Sequence, residues 1–293
     1  ELQQRCQALF KEVVRTFKNH GVLTERLVSQ MDRFFSLGNI SITDEDYHRF
    51  IYLKSEFPSS SEDEPELQIG IGLIQHMEKG LREELLKAGI NISDEKIKDV
   101  AIRWGMSHEF GHLIDRLIRI INIEKKVLNH PEREIWRVAQ EVEQEIDDDL
   151  IRNIAPDEEI AQILKEEPKD GIHTSVASFL SESFASGCEF IGLREALIDA
   201  GITPDQVDTF MSYFMEKSEK KLQQLNEVVT LAKEKGISIE KLGSAINNLA
   251  ISLREENRLD LRKMLPLDFG LRQWGYEKPF SLEEIKAYVS KYV

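Results

Sequence analysis

Residues 93–122 read SDEKIKDVAIRWGMSHEFGHLIDRLIRIIN. Ser93 is a favoured N-cap, Asp94 and Glu95 fill the first turn, and Ile97, Val100, Ala101, Trp104, Leu113, Ile114, Leu117 and Ile121 recur mostly at three- and four-residue spacing. That pattern predicts a single helix running to about Asn122. Inside it stands His108-Glu109-Phe110-Gly111-His112, the HExxH pattern. Positions four apart project from one helix face about one turn apart, so two imidazoles reach one Zn²⁺ at about 2.0–2.1 Å each, with Glu109 beside them to take a proton from water. Gly105 and Gly111 each cost this helix roughly 0.8–1 kcal/mol relative to Ala. Close approach of another element, a strand or the helix bearing the remaining ligand, would account for them.

Outward from this helix the pattern stays mainly α. Sixteen Gly and eight Pro in 293 residues fall below average usage, and the regular turn punctuation of sandwiches and barrels is missing. Leu2 to Phe35 carries a helical stripe, broken into two helices near Asn19, His20 and Gly21. The strand candidates are 48–54 (HRFIYLK) and 67–74 (LQIGIGLI), separated by a Ser/Pro/acidic stretch over 55–66 that reads as an exposed loop. Helical patterns resume at 132–154, 158–166, 178–200, 204–235, 239–258 and 281–292, with breaks at Pro156, Pro168, Gly201 and Gly236.

Charge and composition exclude several classes. Against 38 Lys and Arg stand 53 Asp and Glu, a net charge of −15, which repels a phosphate backbone and argues against nucleic acid as a partner. No apolar run approaches a membrane span, and no signal peptide is visible, so a cytoplasmic location is the expectation. Two cysteines, Cys6 and Cys188, are too few for a disulfide scaffold, and Cys188 is expected to be a buried thiol packing as a small hydrophobe.

A catalytic zinc keeps three protein ligands and an open position for water. Position 118 is Ile118, which excludes a third His six residues past His112. The leading candidate is Glu182 in Ser181-Glu182-Ser183-Phe184-Ala185-Ser186, on a predicted helix; Glu141 in the Glu-rich helix at 132–147 and Glu189, seven residues beyond Glu182 on the same face, stay open. Asp115 lies three residues after His112 on the metal-facing side, where a carboxylate would accept the other N–H of a ligand imidazole and fix its tautomer.

HEFGHLID at 108–115 together with E-x-F-A at 182–185 resembles the gluzincin type of zincin metalloprotease, especially the family of the anthrax lethal factor catalytic domain. The resemblance covers the motif residues alone. It implies a Zn²⁺ enzyme acting on a peptide or protein substrate, with Glu182 as third ligand. Two departures stand out: Ser186 replaces the second Glu that such proteins often carry, and Ser175 replaces a Tyr expected about seven residues before the ligand Glu. His173, nine residues before Glu182, is the remaining candidate for stabilising the oxyanion.

The expected architecture is a mainly α, zincin-like metalloprotease domain over 46–200 with a small β-sheet, preceded by a helical segment over 1–45 and followed by a helical C-terminal part over 201–293. The expected function is zinc-dependent peptide hydrolysis, with metal ligands His108, His112 and Glu182, and with Glu109 as general base. An alternative of another class is a catalytically inactive zincin-like module that serves in binding or assembly. A substrate strand is expected to add to an edge strand at 67–74. Between Pro131 and Asp170, 14 acidic residues face five basic ones; this run is either a solvated helix face or a cleft wall that favours cationic peptides.

Overall fold

The computed structural model describes residues 1–44, 49–51, 66–128, 135–154, 176–212 and 280–293. These residues are mainly helical. Helices α1 (Leu2–Asn19) and α2 (Glu25–Phe34) are followed by strands β1 (Ile40–Thr43), β2 (Arg49–Ile51) and β3 (Glu66–Gly70), then by α3 (Ile71–Lys87), α4 (Asp94–Val127), α5 (Ile135–Ile154), α6 (Val176–Asp199), α7 (204–212) and α8 (Leu282–Tyr292). No helix among the described residues is long and apolar enough to cross a membrane.

Helix α4 is the spine of the fold. The Ser93 hydroxyl accepts from the backbone N–H of Lys96, acids occupy the first turn, and Lys125 and Lys126 occupy the last, so both ends complement the helix dipole. It continues past the expected end at Asn122 to Val127, with Ile123 buried beyond that point. Buried residues lie around its whole circumference, the mark of a core helix.

Two helices at the start of the chain cover one side of it. Cys6, Phe10, Val13 and Phe17 form the buried stripe of α1, and the rings of Phe10 and Phe17 stand 5.5 Å and 5.3 Å from Phe110, inside the HExxH motif. The expected break after Asn19 is present: Gly21 takes a positive φ of 72°, which a residue without Cβ adopts at little cost. Thr24 then caps α2 by accepting from the Leu27 N–H.

The small sheet has the order β1-β3-β2. Strand β1 pairs parallel with β3 (Ile40↔Leu67, Thr43↔Gly70) and β2 pairs antiparallel with it (Arg49↔Gln68, Ile51↔Glu66). Three sequence expectations change here. The strand expected over 67–74 ends at Gly70, and Ile71 opens α3, whose buried Ile74, Leu81 and Leu85 follow a helical period. Strand β1 was not expected, because four residues are too short to show alternation. Strand β3 is central, so a substrate strand cannot add to it; both of its edges are already paired. Of the strand expected at 48–54, residues 49–51 are seen, while 48 and 52–54 lie outside the described residues, as does nearly all of the loop expected at 55–66.

The chain divides into two compact units. One comprises Glu1–Glu132, Phe184–Ser212 and Pro279–Val293; the other comprises Arg133–Ser183 and Tyr213–Lys278. In the second unit α5 buries Val138, Ala139, Val142 and Ile146 along one stripe, together with Asp147, and exposes Glu141, Gln144 and Glu145 on another. Helical patterns expected at 158–166 and 239–258 lie outside the described residues, as does most of 204–235.

In the first unit, α8 is tied to α4 by a buried polar cluster. The Tyr288 hydroxyl donates to Asp115 Oδ1 at 2.9 Å and Arg119 Nε donates to Asp115 Oδ2 at 3.1 Å. Asn122 Nδ2 and Lys125 Nζ both donate to the Tyr292 carbonyl. Ser281 and Glu284 form a capping box that starts α8.

Candidate metal centre

Helices α4 and α6 run antiparallel, and their spacing is set by missing side chains. A Cβ on Gly111 would lie 2.6 Å from the Cα of Ala185 and 3.0 Å from the Cβ of Cys188. One on Gly192 would collide with the Ser107 side chain. The Gly in the middle of the motif is therefore a packing device: it admits α6 at Ala185 and Cys188. The Ser107 hydroxyl turns back to the Arg103 carbonyl at 2.7 Å, and Arg103 Nη1 reaches Asp199 at 2.7 Å, which fixes the register at the far end of the helix pair.

This close approach brings Glu189 of α6 onto the motif. Its Oε2 lies 3.0 Å from His108 Nδ1, and its Oε1 accepts from the indole Nε1 of Trp104, one turn earlier on α4. A carboxylate facing Nδ1 requires the N–H there, so a neutral His108 carries its lone pair on Nε2. That lone pair faces His112: the two Nε2 atoms are 3.2 Å apart, with the rings at 80° to each other. Two nitrogens held at about 2.0–2.1 Å by one tetrahedral zinc stand about 3.3 Å apart, so the observed separation fits a shared ion. Both imidazoles are half-buried, and Glu109 between them is 8% exposed.

Two of the expected site residues, His108 and His112, are thus brought together; Glu109 follows His108 on the same helix, and its side chain is nearly buried. Glu182 lies in α6, two turns before Glu189, with its side chain outside those described. His173 lies outside the described residues. Glu141 is on the exposed side of α5, paired with Arg137 at 3.1 Å. Among the described residues no three His, Cys, Asp or Glu side chains converge on one point.

The tautomer-fixing role expected of Asp115 falls to Glu189 at His108. Asp115 is 3% exposed, and its oxygens are taken up by Tyr288 and Arg119. The side chain turns toward α8, so spacing along α4 alone does not predict its partner. The shared face of Glu182 and Glu189 was readable from the sequence; the contact with His108 depends on the register of two helices far apart in the chain. Glu189 also sits one turn beyond Ser186, where the resembled family often has its second acid. Cys188 is fully buried against Gly111, and burial, with the nearby charge of Asp115 adding, pushes its thiol well above the ordinary range. It therefore packs as a neutral thiol.

The Glu189–His108 contact leads to a prediction. Glu189→Ala should weaken zinc binding by about 10–100-fold without removing a ligand, and Glu189→Gln, whose amide oxygen still accepts from Nδ1–H, should recover part of the loss. Competition with a chromophoric chelator measures both. Because Trp104 bonds the same carboxylate, its fluorescence should also change on zinc addition in wild type and respond less in Glu189→Ala.

No protein-family model, no curated protein and no solved structure matches this chain.

Proposed function

We propose that this chain is a zinc-dependent metallopeptidase. The observation that carries the reading is the convergence of His108 and His112 through Nε2 atoms 3.2 Å apart, with His108 held from behind by Glu189. A pair of surface histidines with no metal to bind has no need of a carboxylate held against the ring nitrogen that faces away from the partner ring; Glu189 is half-buried there. His108 and His112 would hold the metal, and Glu182 is assigned as the third ligand on the sequence reading, which would leave a fourth position open.

Zinc bound there supplies a Lewis acid for the scissile carbonyl and brings the pKa of water towards about 7. Glu109 is assigned to accept the water proton and to return it to the leaving amine, the two proton transfers that peptide hydrolysis requires. Its low exposure keeps competing water away from the carboxylate. Glu189 keeps His108 in the tautomer that binds metal, and His173 is assigned to the oxyanion on the sequence reading alone. The substrate class is a peptide or protein, and the cofactor is Zn²⁺.

Metal removal and return tests the reading. Protein treated with a strong chelator and dialysed should lose hydrolysis of an unstructured protein substrate, such as casein, and one equivalent of zinc should restore it. Activity that survives complete metal removal would contradict the proposal, and so would zinc-loaded protein that hydrolyses neither casein nor a random peptide library.

A further inference from the structure

The C-terminal helix meets both helices of the site. On α4 the Tyr288 hydroxyl donates to Asp115, three residues beyond His112. On α6 the Tyr288 ring stands edge-on to Phe184 at 5.3 Å, and Phe184 in turn meets Phe280 at 6.0 Å. Gly187 presses so closely on the Phe280 backbone that a Cβ there would collide with it. Tyr288 thus bonds one helix through its hydroxyl and packs on the other through its ring. Its two contacts lie on the turns next to His112 and on the turn of α6 that precedes Glu189.

We infer that Tyr288 is a positioning residue for the metal centre: by bracing α4 against α6 it sets the distance between His108 and Glu189. The inference rests on the proposed zinc site for its functional meaning, but the brace itself is a property of the protein without metal. The Arg103–Asp199 bond ties α4 to α6 at the far end of the helix pair, and the Tyr288 bond adds a directional tie at the end nearer α8. The hydroxyl-to-carboxylate bond is directional, and it is buried, with Asp115 and Tyr288 3% and 5% exposed, where such a bond is strongest. Removing it should lengthen the 3.0 Å contact between His108 and Glu189 before it unfolds anything.

Tyr288→Phe keeps the ring and deletes the bond. Expected are a melting temperature lower by a few degrees, zinc affinity weakened roughly tenfold, the lower end of what loss of an orienting partner costs, and a His108 ring ¹⁵N signal that moves from the Nδ1–H tautomer to a mixture in metal-free protein. Val207→Ala, a buried site in α7, supplies a loss of stability away from the brace and should change neither zinc affinity nor the ring signal. Tyr288→Phe that melts lower yet binds zinc with wild-type affinity and keeps the wild-type ring signal would reduce Tyr288 to packing and overturn the inference. If wild-type protein binds no zinc, the proposed function fails, while the ring signal still decides the brace: movement in Tyr288→Phe supports it and no movement overturns it.

Discussion

Glu109→Gln is expected to keep its zinc and lose about 10²–10⁴-fold in the rate of peptide hydrolysis. The amide preserves the size of the side chain in a nearly closed position, where Glu109 is 8% exposed, but it cannot accept a proton at neutral pH, and general base catalysis contributes a factor of that order. Since Glu109 is assigned no metal bond, zinc content should match wild type. The pairing of results separates two classes of protein. A peptidase loses rate with metal retained; a module that uses the same fold for binding or assembly would show no rate to lose and unchanged partner capture. Steady-state hydrolysis together with elemental analysis reads both. Full activity in Glu109→Gln would remove that residue from the mechanism.

The second large effect concerns the spacing of α4 and α6, and it is visible as a difference in sign between two identical substitutions. Gly80 lies inside α3 with nothing within 4 Å of where a Cβ would stand. Gly80→Ala should therefore stabilise the protein by about 0.8–1 kcal/mol, the ordinary helix preference for Ala. Gly111→Ala gains the same preference and meets the Ala185 backbone at 2.6 Å. A backbone atom cannot swing aside as a side-chain tip can, so α6 itself must move, at an overpacking cost of about 1–3 kcal/mol or more. A net loss of stability is expected, and because α6 carries Glu189 away from His108, weaker zinc binding should accompany it. Thermal melts of the two variants side by side, with zinc titrations, check this; a stabilised Gly111→Ala with unchanged affinity would show that the helices are not in contact there.

How much of this could be read from the chain follows from the range of the forces involved. The start of α4 was legible because a cap and its acidic first turn are local, within Ser93 to Glu95. Its end was placed short because nothing local stops it, and Ile123 is buried beyond that point. The run LQIGIGLI alternates through Ile71 and then takes up a helical period, so a strand and a helix share it, and the boundary at Gly70 was not visible in either pattern. The histidine pair was legible for the same reason as the cap, since four residues on one helix fix its geometry. The carboxylate behind His108 was not: Asp115 is close in sequence, Glu189 is 81 residues away, and the choice between them is made by the packing of α6 and α8 on α4. Gly111, singled out with Gly105, was a local signal of that packing, a costly residue whose explanation lay in another helix.

The claim on which everything else depends is that His108 and His112 bind one zinc between them. Elemental analysis of the gently purified protein, repeated after zinc addition and desalting, tests it most directly when run beside His108→Ala and His112→Ala. The account predicts one equivalent in wild type, and in each variant a loss of affinity large enough that little metal survives desalting. Wild-type protein that takes up no zinc, or variants that hold it as tightly as wild type, would contradict it.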